Sequence, residues 1–179
     1  MKRAAPQSQA RGDKTRPVRE FEMLYADCFR GVYGYIAARV QDPHTAEDLT
    51  SEAFLKAWRR WPPQTLGGNL PKTWLYQIAH NLVIDHYRAR GRGQQTLPLN
   101  GIDAPSPQDN PGEEGHLRRL ALRMALASLP PRDQDLLSLR LAGLSNRELG
   151  LVLGLTEATA GMACLRALRR LRDKLEERP

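Results

Sequence analysis

Apolar residues recur every third or fourth position through two long stretches of the chain, the spacing of helices that bury one side. "EFEMLYADCFRGVYGYIAARV" places Phe21, Leu24, Tyr25, Cys28, Val32, Tyr35, Ile36 and Val40 on such a stripe. "DPHTAEDLTSEAFLKAWRRW" opens on Asp42, a suitable N-cap, with Pro43 at the first helical position. Its stripe is Ala46, Leu49, Ala53, Phe54, Ala57 and Trp61. "PPQTLGGNLP" breaks that helix, and "KTWLYQIAHNLVIDHYRAR" resumes with Leu75, Ile78, Ala79, Leu82 and Val83 inward. No strand-like alternation intervenes, so the first block predicts a bundle of about three helices.

The second block, about Leu117 to Glu177, predicts four helices. The first ends at Pro130 and Pro131, the second near Gly143. Ser145 and Glu148 have the spacing of a capping box. Gly154 suits a tight turn, and Thr156 suits the cap of the last helix. Two short helices with a small turn residue and a shared apolar core (Leu149, Val152, Leu153, Leu155) form a helix-turn-helix. The expected fold is all-α: two small helical domains, 19–90 and 116–179, joined by a flexible linker.

That linker, 91–115, lies in "RGRGQQTLPLNGIDAPSPQDNPGEEG", rich in Gly and Pro and acidic in its second half. Residues 1–18 are basic with few apolar groups, and predict a disordered tail rather than a secretory signal. The 179 residues carry a net charge of +7. That balance favours an anionic partner, nucleic acid first. No apolar run approaches the roughly 20 residues of a membrane span, so no membrane partner is expected. Cys28 and Cys164 stand far apart, outside any CxxC, and predict buried apolar positions in a reducing cytoplasm.

Enzymatic motifs are missing: no HExxH, no GxSxG and no Gly-rich phosphate loop. His80 and His86 are six apart and fall on different helix faces. Glu47, Asp48 and Glu52 read as a solvated face. No catalytic residue, metal site or cofactor is expected. Trp74, Gln77, Asn81, Asp85 and Arg88 instead recur along one face, flanked by Lys72, Arg90 and Arg92. An aromatic surface and amides suit unpaired bases, and cations suit phosphates. The competing reading puts Trp74 in the core and pairs Asp85 with a nearby Arg.

"AEDLTSEAFLKAW" followed by "WLYQIAHNLVIDHYRAR" resembles region two of bacterial RNA polymerase sigma factors, most closely the small extracytoplasmic-function (ECF) class. "LASLPPRDQDLLSLRLAGLSNRELGLVLGLTEATAGMACLRALRRLRDKL" is similar to their region four. The resemblance spans roughly Phe21 to Leu175, and its two blocks in this order make it specific. It implies a promoter-specificity subunit working in the cytoplasm with core RNA polymerase, on double-stranded and melted promoter DNA. An anti-sigma factor is a further partner it implies. Asp48, Leu49, Ser51, Glu52 and Phe54 would dock on the polymerase clamp helices. Lys72, Trp74, Gln77, Asn81, Arg88 and Arg90, with the loop Pro62 to Pro71, would open the minus-ten element and hold a flipped base. The acidic linker would thread the polymerase channel. Arg147, Thr156, Glu157, Thr159, Arg166, Arg169 and Arg170 would engage the minus-thirty-five element. A free-standing helix-turn-helix regulator is the alternative, and an RNA-binding or interaction protein a third. The clamp-docking helix separates them, since a regulator has no need of it.

Three positions depart from the family. His80 stands where Arg is common, so no phosphate contact is carried over there. Gly161 and Ala163 stand in turns where Lys and Arg are usual. Region four would then read through few contacts or through DNA shape. Alternatively, Met162 and Leu165 pack against the domain and residues such as Arg147 do the reading.

Overall fold

Residues 16–40, 42–61, 71–91 and 112–176 are described by a computed structural model, and form seven helices with no strand among them. Helix α1 (Arg16–Val40) begins inside the stretch expected to be a tail. It packs with α2 (Pro43–Arg59) and α3 (Pro71–Ala89). Asp42 caps α2 by accepting from the Thr45 amide at 2.8 Å. The predicted stripes are buried: Val32, Tyr35 and Ile36 of α1, Ala46, Ala53 and Ala57 of α2, Leu75, Ala79 and Val83 of α3. Three helices that each hide one side must enclose a common core.

The C-terminal unit contains α4 (Gly112–Ala127), α5 (Pro131–Leu141), α6 (Asn146–Leu153) and α7 (Glu157–Glu176). The capping box closes as expected. Ser145 Oγ accepts from the Glu148 amide at 3.3 Å, and Glu148 Oε2 accepts from the Ser145 amide at 2.7 Å. α6 ends on Gly154 at φ 66°, and the chain turns by 98° into α7. Thr156 caps α7, its Oγ1 accepting from the Thr159 amide at 3.1 Å. Gly150 makes the turn possible: a Cβ there would stand 2.6 Å from the Leu155 carbonyl oxygen. Leu129, Leu137, Cys164 and Ala167 bury a second, smaller cluster beneath α7. Both thiols are buried and free, and burial pushes each upward from its ordinary pKa.

The two units pack on one another. Leu139, Leu144, Leu149, Val152 and Ala160 of the second unit belong to the same buried cluster as the first unit's core. α5 lies on α1, and α6 lies on α3. Periodicity within single helices predicts two separate cores; Leu144 and Leu149, fully buried, are instead shared between them. Segment 92–111, which holds most of the expected linker, lies outside the described residues.

Candidate nucleic-acid interface

The polar face expected on α3 divides into two halves. In its first turns, Lys72 Nζ donates to the Gly143 carbonyl at 3.2 Å, and Gln77 Nε2 donates to the Leu151 carbonyl at 2.9 Å. Leu151 lies in the last turn of α6, where carbonyls have no helical partner, so Gln77 satisfies one of them. Between these two, Thr73 donates to Glu148 Oε1 at 3.4 Å. Burial raises the Glu148 carboxyl, but hydrogen bonds from Ser145 and the nearby Lys72 bring it below its ordinary pKa. Farther along, Asn81, Arg88 and Arg90 are exposed. Trp74 is half-buried, 6.4 Å from the Trp61 ring, and Arg88 pairs with Asp85 at 3.5 Å. Trp74 thus rests against the core without joining it, Asp85 has Arg88 beside it as the competing reading expects, and Asn81 and the basic end remain open. The loop 62–70 lies outside the described residues.

A polar cluster that the sequence reading missed joins the units beside this face. Arg39 Nε donates to Asp135 Oδ1 at 2.8 Å, and its Nη1 donates to Gln134 Oε1 at 2.5 Å. Tyr35 donates to the same Asp135 oxygen at 3.0 Å, and His80 Nδ1 lies 2.8 Å from the Tyr35 hydroxyl. Arg39 is 7% exposed and Asp135 13%. Burial, with Asp135 beside it, pushes the Tyr35 phenol well up. Burial lowers His80, Asp135 pulls the other way, and Arg39 lowers it further. The neutral imidazole can thus donate from Nδ1 to the Tyr35 hydroxyl, which in turn donates its hydrogen bond to Asp135. These residues are separated by up to 100 positions, beyond any periodic signal. His80 itself was the one visible sign, because it broke the family pattern.

On α2, Asp48, Ser51 and Glu52 face outward and Leu49 is half-buried. Glu52 pairs with Lys56 at 2.9 Å. Phe54, assigned to the same surface, is 5% exposed and packs among Phe21, Tyr25 and Phe29. It supports the surface from beneath. Among the described residues no group of side chains is arranged to hold a metal, and no single helix is long and apolar enough to cross a membrane.

On α7 the buried side is Ala160, Cys164 and Ala167. Glu157, Thr159, Arg166, Arg169 and Arg170 are exposed, as is Arg147 of α6. Several of these are already engaged. The Thr156 and Thr159 hydroxyls lie 2.8 Å apart, and Arg170 donates to the buried Asp133 carboxylate at 2.5 Å. Arg132, Asp133, Thr159, Arg166 and Arg170 line a shallow notch. Gly161 has a structural role: a Cβ there would meet the Asn146 side chain at 3.1 Å. Met162 and Leu165 do not pack against the domain; they are 59% and 53% exposed.

The model of sigma-70 region 2 matches residues 24–93, and a model of sigma-70 region 4 matches 119–171. Across 140 residues the chain is 34% identical to the ECF RNA polymerase sigma factor SigF of Caulobacter vibrioides, covering 74% of this chain and 72% of that one. The chain belongs to the ECF sigma factors. It is also 40% identical over 157 residues to the ECF sigma factor BldN of Streptomyces coelicolor, covering 84% of this chain and 58% of BldN. SigE of Mycolicibacterium smegmatis is 37% identical over 139 residues, covering 74% of this chain and 52% of SigE. The chain thus spans little more than half the length of these two sigma factors. Its fold matches that of the sigma factor RpoE in complex with the anti-sigma factor NepR from Bartonella quintana, with TM-score 0.69, 23% identity and coverage of 90% and 99% of the two chains. It likewise matches CnrH in complex with the cytosolic domain of CnrY, with TM-score 0.66, 19% identity and coverage of 90% and 91%.

Proposed function

We propose that this sigma factor binds core RNA polymerase, directs it to promoters and opens DNA there, in the cytoplasm and without enzymatic activity of its own. The observation that carries the reading is the pairing of regions two and four in one chain, with an outward polar stripe on α2 in which Asp48 and Glu52 are acidic and Ser51 neutral. That stripe suits a basic polymerase surface, with Leu49 beside it to bury. Asn81, Arg88 and Arg90 suit the melted minus-ten strand, and α7 suits the upstream duplex. The free-standing regulator is disfavoured because region two accounts for the whole first block.

Use of the early turns of α3 on the minus-ten strand requires the second unit to leave, because Lys72 and Gln77 are bonded to it. Core polymerase, which would hold the two units apart on two promoter elements, is the natural agent of that separation. An anti-sigma partner would act oppositely, by holding them together or covering α2.

Pull-down of core polymerase by the full chain, followed by run-off transcription on templates found by start-site mapping, tests the proposal. Binding to core and new, aligned start sites are expected. Failure to bind core would overturn it, and duplex binding without core would favour the regulator.

A further inference from the structure

Four residues of α7 form a stripe on the side away from its buried face. Ala158, Met162, Leu165 and Arg169 lie at steps of four, three and four. All are exposed, and two are large and apolar. Met162 and Leu165, three positions apart, are neighbours on that side and leave a joined apolar surface in water. Three of the polar groups assigned to base reading here are already committed, Thr156 and Thr159 to the helix cap and Arg170 to Asp133, while Glu157 stays exposed.

The surroundings indicate the occupant. Arg169 ends the stripe, Arg166 is exposed next to Leu165 on α7, and Arg147 is exposed on α6. A cationic border around an apolar centre matches a DNA groove, with phosphates outside and base edges within. The stripe also occupies the early turns of the second helix of a helix-turn-helix, the part that enters the major groove. The apolar feature of that groove is the thymine C5-methyl group.

We propose that Met162 and Leu165 read thymine methyl groups in the upstream promoter duplex, while Arg166 and Arg169 hold the phosphates. The inference rests on the promoter reading above and specifies how its upstream half discriminates.

Replacing thymine by deoxyuridine removes the methyl and leaves every hydrogen-bonding group in place. The test uses holoenzyme assembled from core polymerase and the full chain, on promoters with thymine or deoxyuridine in the upstream element. Wild type is expected to bind the deoxyuridine template about four-fold more weakly per contacted methyl. Met162→Ala and Leu165→Ala should each weaken binding to the thymine template and reduce the thymine-to-deoxyuridine ratio toward one. Folding of both variants is checked by thermal melting; Met162→Gln, which keeps length and loses apolar character, serves as a second variant.

Equal wild-type binding to the two templates, with initiation intact, would overturn methyl reading alone. So would variants that keep the full ratio, and folded variants that no longer bind core would overturn it too, by marking the stripe as a protein-docking surface. Wild-type holoenzyme that initiates on neither template would overturn the promoter reading, and this inference with it.

Discussion

On α3, Lys72 and Gln77 donate to carbonyls of the chain's own second unit; on α7, Met162, Leu165 and Arg169 face solvent. Both helices carry groups suited to DNA, and both belong to one sigma factor. The difference lies in what must happen first. The α7 surface is available as it stands, whereas the early turns of α3 become available only when two packed units separate. Residue type therefore identifies a DNA surface, and packing decides when it can act. On the proposed function, upstream duplex recognition needs no rearrangement, and strand capture by the first turns of α3 does.

The sharpest way to break that contrast is at Asp135. Asp135→Ala leaves the buried Arg39 guanidinium without its carboxylate and Tyr35 without its acceptor. Removing one member of a buried pair costs about 3–5 kcal/mol. Gln134 and the Tyr87 ring, 5.5 Å from the guanidinium, remain, so the lower end is expected. Urea unfolding should show the loss, and small-angle scattering should show a larger radius as the units part. An unchanged radius and midpoint would mean that the polar cluster does not hold the α3 face closed.

Next in size is Gly150→Ala. The added methyl would meet the Leu155 carbonyl at 2.6 Å, so the turn itself must move. Overpacking of this kind costs about 1–3 kcal/mol, offset in part by alanine's better helix propensity. A net loss of about 1–2 kcal/mol is expected, with faster hydrogen exchange across 146–176 and weaker duplex binding. Such a result would place the open face's dependence in its own turn, not in the contact between units.

How much of this could be read from the chain follows from the reach of each signal. The caps at Asp42, Ser145 and Thr156 were legible because their partners lie three residues away. The helix stripes were legible because burial repeats within one helix. The shared core was not: Leu144 and Leu149 look alike whether they face their own unit or another. The Tyr35–Arg39–His80–Asp135 cluster joins three helices and leaves no local pattern. At Gly161 the missing charge was visible in the sequence, but the crowding by Asn146 was not. The exposure of Met162 and Leu165 was equally illegible, since apolar residues at helical spacing ordinarily signal burial.

A third, smaller effect is pH dependence of the contact between units. Facing the His80 ring are Tyr35 and Arg39 from α1 and Asp135 from α5. Burial holds the folded imidazole below its ordinary value of 6.5. The unfolded chain therefore takes up the proton more readily. Stability from this group is complete above that value, declines as pH falls through it, and levels off below the folded pKa. His86 is also lowered and acts in the same direction. The difference between wild type and His80→Gln, measured from about pH 8 to about pH 5, isolates the His80 part. Wild type should lose more stability than the variant over that range; parallel curves would remove His80 from the mechanism.

The smallest expected effect compares two amides on α3 itself. Gln77 donates to the Leu151 carbonyl at 2.9 Å, whereas Asn81, one turn on, is exposed. Gln77→Ala leaves a carbonyl in the last turn of α6 without that donor and should cost about 1 kcal/mol. Asn81→Ala should stay within about 0.5 kcal/mol of wild type. Their effects on holoenzyme binding to a melted minus-ten strand should run the other way. On the proposed function, Asn81→Ala removes an amide offered to the bases and is expected only to weaken capture. Gln77→Ala also loosens the closed arrangement, which offsets part of any contact it loses. Equal stability losses would show that the two halves of α3 do not differ in how they are held, and the division between a bonded and an open DNA face would then rest on the Asp135 cluster alone.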